Sequence, residues 1–272
     1  MDVFRAMVLG LVQGLAEPLP ISSSGHLILV PWVLGWPSHT LTFDVALHGG
    51  TALALIAYFW QDWVVLAGAF FDSLRDLQLG ATPERRMVWY VAVACVPGAV
   101  AGVLFEQKVE DLLRQPWLVA TLLVLMGFIL LAADSLSSQR RSLSQLTLVD
   151  AVVIGLAQAF ALVPGVSRSG VTITAALLLQ VSRADAARFS FLLSGPIVAG
   201  AFIYKMLGFV RTGFPADEVA PFLSGVAVAA VVGYLAIRFL LDYLQRHTLR
   251  LFVYYRFLAG GFVLALLVLR PF

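Results

Sequence analysis

A polar, helix-breaking stretch occurs twice inside otherwise apolar sequence, and this constrains the chain more than any other feature. GLVQGLAEPLPISSSG (10–25) aligns without a gap to GLAQAFALVPGVSRSG (155–170). The matches are Gly10/Gly155, Leu11/Leu156, Gln13/Gln158, Ala16/Ala161, Ser22/Ser167, Ser24/Ser169 and Gly25/Gly170. FDVALHGG (43–50) resembles FSFLLSGP (189–196) at nearly the same offset, which points to an internal repeat over about 1–134 and 148–272. Prolines, glycines and serines interrupt segments 2–34 and 148–181, leaving a short apolar arm on either side. Arms of about 14 residues cannot cross a bilayer, which takes about 20. Each segment therefore reads as a re-entrant hairpin that enters and leaves on one side.

The rest of the chain sets the class. Hydrophobic residues make up 60% and charged residues 12%, with a mean hydropathy of +0.91; soluble domains carry about twice that charged fraction. Apolar runs predict crossing helices at roughly 40–60, 87–105, 116–134, 186–208, 219–240 and 250–269. The chain is thus an all-α polytopic membrane protein, a single integral membrane domain of about six transmembrane helices plus two re-entrant hairpins. Segment 62–86, with Asp72, Arg75, Asp76, Glu84, Arg85 and Arg86, reads as a loop with room for an interfacial helix. The net charge of +2 says nothing about nucleic acid, because the basic residues cluster in loops, and no nucleic-acid partner is expected. One cysteine, Cys95, rules out a disulfide framework or a cysteine metal site. The N-terminus faintly resembles a secretory leader, but its pattern recurs in mid-chain and reads as part of the fold.

Three crossings separate the hairpins, and an odd number inverts the second copy. The hairpins would then enter from opposite faces and meet near the midplane, where non-helical backbone lines a cavity. Arg75, Arg85, Arg86, Arg140, Arg141, Arg183, Arg188, Arg246 and Arg250 collect on one face, and Arg5, Lys108, Arg114, Arg211 and Arg270 on the other. The positive-inside rule makes the first face cytoplasmic and puts both termini outside.

Both breaks suit an anion. Gln13 and Glu17 lie one turn apart on a helix face, and Pro18 and Pro20 unwind the chain after them. Ser22, Ser23 and Ser24 are N-cap residues for the arm that restarts toward Leu27. Ser167, Arg168, Ser169 and Gly170 open the corresponding helix, which carries Thr172 and Thr174. Two helix N-termini with free N–H groups would face each other, with hydroxyls, Arg168 and His26 around them. The anion expected there is phosphate. Plainer readings stand beside this one: serines as caps, Arg168 and Glu17 as a structural ion pair, His26 as a helix-packing histidine. Asp44 and His48 read equally as lining the cavity mouth or as a structural pair. Gly98 and Gly102 read as a helix-packing GxxxG. Trp32, Trp36, Trp60, Trp63, Trp89 and Trp117 read as an interfacial belt.

QGLAEPLPISSSGHL resembles the (E/Q)xxxE…PxSSSGH motif of the bacitracin-resistance type undecaprenyl-pyrophosphate phosphatases, and PGVSRSGVT resembles their PGxSRSxxT motif. The resemblance runs over nearly the whole chain, FDVALHGGTALAL included. It implies a bacterial inner-membrane enzyme that removes one phosphate from undecaprenyl pyrophosphate, recycling the lipid carrier of cell-wall synthesis and giving bacitracin resistance. By position it implicates Gln13, Glu17, Ser23, His26, Ser167, Arg168, Ser169 and Thr172. Many relatives have Glu where Gln13 stands, so Gln13 is not the base; Pro18 stands where an aromatic residue is common. The resemblance also implies a divalent cation, Mg²⁺ or Ca²⁺, held by Glu17.

The residues independently suit phosphoryl transfer. Arg168 can grip phosphate oxygens bidentately. Ser23 is the candidate nucleophile, with an attacking water as the alternative, and Glu17 or His26 the candidate base. Gln13, Ser22, Ser24, Ser167, Ser169 and Thr172 are the candidate substrate ligands. The expected partners are the pyrophosphate lipid and the bilayer, with a homodimer left open and the site opening to the periplasm. The rival reading is a polyprenyl-phosphate transporter or flippase using the same midplane anion site. The Glu–Ser–His cluster distinguishes the two, since transport needs no nucleophile.

Overall fold

The computed structural model describes residues 1–37, 41–212 and 216–269. Its helices run α1 Val3–Ala16, α2 Ser23–Leu34, α3 Leu41–Tyr58, α4 Trp60–Arg75, α5 Pro83–Leu113, α6 Pro116–Leu136, α7 Leu148–Ala159, α8 Arg168–Leu178, α9 Arg183–Thr212, α10 Ala216–Leu244 and α11 Arg250–Leu269. Among the described residues, five stretches are long and apolar enough to cross a membrane: Pro83–Phe105, Pro116–Leu136, Arg183–Tyr204, Glu218–Leu244 and Arg250–Leu269. A sixth forms if Thr42–Tyr58 and Trp60–Arg75 count as one span bent by 81°. The chain is an all-α, multi-pass membrane protein.

Segment 62–86 is more ordered than a loop. Most of it belongs to α4, which turns Leu66, Ala69 and Ser73 inward while Val64, Val65 and Phe71 stay exposed. Trp89 Nε1 donates to Ser73 Oγ at 3.0 Å and Arg188 Nη2 pairs with Asp62 Oδ1 at 2.5 Å, so α4 is fastened to α5 and α9. The charges scattered along 62–86 hid this apolar period. Other expectations meet a mixed outcome. Gly98 faces Gln158, where an added Cβ would lie 3.0 Å from Nε2, but among the described residues nothing lies within 4 Å of a Cβ on Gly102. The GxxxG therefore packs at one end only. Trp60 and Trp117 point outward, whereas Trp63 packs against Gly195 and Trp89 serves α4, so the tryptophans are not one belt. Arg270 and the side chain of Arg211, counted for the outer face, lie outside the described residues.

The short helices α1 and α7 press one face closely against longer helices because glycines let them. A Cβ on Gly10 would lie 2.4 Å from the Gly225 carbonyl oxygen, so α1 can touch α10 only with glycine there. Gly155, its counterpart in the alignment, brings α7 equally close to α5: a Cβ would lie 2.7 Å from Ala94 Cα.

The two breaks adopt closely similar conformations. Before α2 the backbone passes through Ser22 at φ 76°, ψ 92°, and before α8 through Ser167 at φ 77°, ψ 115°. Positive φ in a residue with a side chain costs about 1–3 kcal/mol. In both places the serine Oγ caps the new helix, accepting from Gly25 N at 3.3 Å and from Gly170 N at 3.1 Å. The breaks also hold each other. Gly165 N donates to Ser22 Oγ at 3.1 Å, and Ser169 Oγ donates to the Leu19 carbonyl at 3.0 Å.

Candidate active site

Ser23 and Arg168 are the first residues of α2 and α8, each following its positive-φ serine. They are also counterparts in the alignment of the two breaks. Both side chains reach one carboxylate. Glu17, the residue that ends α1, accepts from Arg168 Nη2 through Oε1 and from Ser23 Oγ through Oε2. Gln13 Nε2 donates to the same Oε2 at 3.1 Å, as the one-turn spacing requires. His48 Nε2 stands 3.4 Å from it.

Each member of the cluster is held in turn. Arg168 Nη1 donates to the Ser194 carbonyl at 3.3 Å, leaving its fork steered between α9 and Glu17. His48 Nδ1 lies 2.7 Å from the Asp44 carbonyl oxygen, which can only accept, so Nδ1 carries the proton there. Asp44 pairs with Arg114 Nη2 at 2.9 Å. The two equal readings of Asp44 and His48 thus separate: His48 joins the carboxylate cluster, and Asp44 anchors an arginine.

Glu17, Ser23, Ser24, His48, Gln158, Ser167 and Arg168 line a cavity of about 220 Å³ whose remaining wall includes Val45, Leu162, Ile197 and Val198. A second cavity of about 130 Å³ shares Ser24, Val45, His48 and Leu162 with it and adds Asp44 and Arg114. The polar wall faces a largely apolar one, which suits a charged headgroup on a hydrocarbon chain.

Other expected site residues stand behind that wall. Ser22 Oγ is engaged with Gly25 N and Gly165 N. Ser169 ties α8 to the first break, and Thr172 Oγ1 bonds the Arg168 carbonyl at 2.8 Å and Ser190 Oγ at 2.7 Å. His26 does not join Ser23. Its Nδ1 lies 2.7 Å from the Ser22 carbonyl and its Nε2 2.7 Å from Tyr255 Oη, with the two rings stacked. The carbonyl again requires Nδ1–H, so Nε2 accepts from the Tyr255 hydroxyl. One helical turn allowed Ser23 and His26 to share a face, but the Ser22 carbonyl, which also accepts from His26 N at 3.1 Å, and Tyr255 from α11 claim the imidazole.

Four residues around the site drew no assigned role from the sequence. Gln158 was visible only as the counterpart of Gln13, and His48 as one half of an ambiguous pair. Tyr255 and Arg256 sit in an apolar span, where a lone arginine is itself a signal.

Comparison with known proteins gives a single picture. The family model described as "Bacitracin resistance protein BacA" matches residues 6–262. A protein of Geotalea daltonii named undecaprenyl-diphosphatase is 51% identical over 261 residues, covering 96% of each chain. A Geobacter sulfurreducens protein of the same name is 51% identical over 272 residues, covering 99% of this chain and 100% of its own. One from Pelotomaculum thermopropionicum is 48% identical, covering 100% of this chain and 99% of its own. With a match spanning nearly every helix and both breaks, the chain belongs to the bacitracin resistance protein BacA family.

Proposed function

We propose that the chain is a membrane phosphatase that hydrolyses undecaprenyl pyrophosphate to undecaprenyl phosphate and inorganic phosphate. The convergence of Ser23, Glu17 and Arg168 on one cavity wall carries this reading, and the family membership agrees with it. Phosphoryl transfer demands positioning and charge neutralisation above all. Phosphate oxygens compete with Glu17 for the Arg168 guanidinium, so substrate binding frees the carboxylate to take the Ser23 proton. Ser23 Oγ then bonds to the terminal phosphorus, and the bond from that phosphorus to the bridging oxygen breaks. The leaving oxygen belongs to a phosphate and departs as an anion, so no strong acid is needed, consistent with His26 lying elsewhere. Water hydrolyses the phosphoserine in a second step.

A divalent cation fits the oxygen donors. Gln13 Oε1 is buried beside the Glu17 carboxylate with no hydrogen-bond partner among the described residues. Among the described residues no group of three or more His, Cys, Asp and Glu forms a metal cage. Glu17 and Gln13 would hold Mg²⁺ or Ca²⁺ together with substrate oxygens, and the ion would neutralise pyrophosphate charge. Purified protein in detergent, given polyprenyl pyrophosphate, is expected to release phosphate and to lose this activity to a chelator, with Mg²⁺ or Ca²⁺ restoring it. Wild-type protein that binds the lipid but never releases phosphate would overturn the reaction in favour of transport. Turnover indifferent to chelator would remove the cation.

The matched breaks support an inverted repeat. The arginine asymmetry together with the family membership supports a bacterial inner-membrane orientation, with the 135–147 connection cytoplasmic and both termini and the site opening periplasmic. In a Cys95→Ala background and intact cells, an impermeant thiol reagent is expected to label Asp2→Cys and spare Ser138→Cys. The reverse pattern would overturn the orientation.

A further inference from the structure

Arg256 on α11 is fully buried, and among the described residues no carboxylate lies within ion-pair distance. A buried cation without a counter-charge is costly and calls for a reason. All its bonds go to main-chain carbonyls: Nε to Leu123 at 3.0 Å, Nη1 to Pro20 at 3.0 Å, Nη2 to Gly165 at 2.8 Å and to Val166 at 3.2 Å. Pro20 and Gly165 are counterparts in the aligned breaks, each three residues before the side chain that reaches Glu17. One rigid fork therefore grips the same point of both breaks and ties each to α6 through Leu123.

We propose that Arg256 is a positioning residue that locks the two breaks together and so fixes how Ser23 and Arg168 meet at Glu17. A planar guanidinium can span these divergent acceptors, whereas a lysine ammonium donates from a single point. The carbonyls turned toward Arg256 also belong to the strained turns ahead of Ser22 and Ser167. Losing the fork would let both turns relax while leaving Arg168 and the helix N–H groups to bind phosphate. The consequence for turnover rests on the phosphatase reading; the mechanical coupling of the breaks does not.

The test compares purified wild type with Arg256→Lys, and with Arg256→Gln should the lysine variant not be recovered. Amide hydrogen exchange over 17–26 and 163–172 is expected to accelerate in both segments together, with α10 unchanged. The kcat for polyprenyl pyrophosphate is expected to fall about a hundredfold, the scale of a small misplacement of reacting groups. KM and the affinity for a non-hydrolysable polyprenyl diphosphonate should stay near wild type. Loosening of one break alone, a folded variant with wild-type kcat, or affinity falling in step with kcat would each overturn the proposal. So would failure to recover either variant folded, which would make Arg256 a determinant of the fold. If the wild type releases no phosphate, the reaction fails, and the exchange data still decide whether Arg256 couples the breaks.

Discussion

Ser23→Ala is expected to lower single-turnover phosphate release by roughly 10⁴-fold or more, the scale seen when a nucleophile is removed from a concerted set. The basis is positional. Ser23 begins α2 directly after a strained serine, and its hydroxyl donates to a carboxylate that is itself held by Arg168. Alanine is compatible with the helical backbone at that position, and Arg168 with the helix N–H groups remains to hold the headgroup. Equilibrium binding of a non-hydrolysable polyprenyl diphosphonate should therefore stay near wild type. Binding and release falling together would reduce Ser23 to a phosphate ligand. Substantial residual release, with Glu17→Ala nearly inactive, would show that water attacks directly with Glu17 as its base.

Arg168→Lys is expected to fold and to lose about 10²–10³ in kcat/KM, the usual cost of removing a preorganised donor to the transition state. Lysine retains the charge opposite Glu17, so the buried carboxylate is not stranded. What it loses is the fork: Nη1 is steered by the Ser194 carbonyl while Nη2 meets Glu17, and one ammonium cannot serve both. Steady-state kinetics on detergent-solubilised protein, alongside its thermal unfolding curve, separate lost function from lost structure. Near wild-type turnover in a folded Arg168→Lys protein would remove the bidentate grip from the mechanism.

The sequence made legible what depends on local chemistry. Pro18, Pro20 and the Pro164–Gly165 pair place both breaks, and the serines after them cap helices because their hydroxyls suit free N–H groups. The Gln13 and Glu17 pairing followed from one-turn spacing. What the sequence left open depends on elements far apart in the chain. His48 approaches Glu17 only because α3 packs beside α1, and Tyr255 takes His26 only because α11 passes behind the break. Spacing along a helix says which residues share a face but not which neighbour arrives there. The α4 helix was legible only as room for an interfacial helix within a loop, because Asp62, Asp72 and Arg75 interrupt its apolar residues and its buried stripe is just Leu66, Ala69 and Ser73.

Arg256 recognises the breaks through main-chain oxygens alone, and such a contact is blind to side-chain identity. Pro20 on one side and Gly165 with Val166 on the other present the same acceptor to the same fork. Two halves joined in this way are free to drift apart in composition, provided the path of the chain is kept. Prolines in one break and a Pro–Gly turn in the other are alternative spellings of one shape. The drift has left a hydroxyl on one half and a guanidinium on the other at matching points, Ser23 and Arg168. Two similar frames have thus come to carry different chemical duties against a single carboxylate.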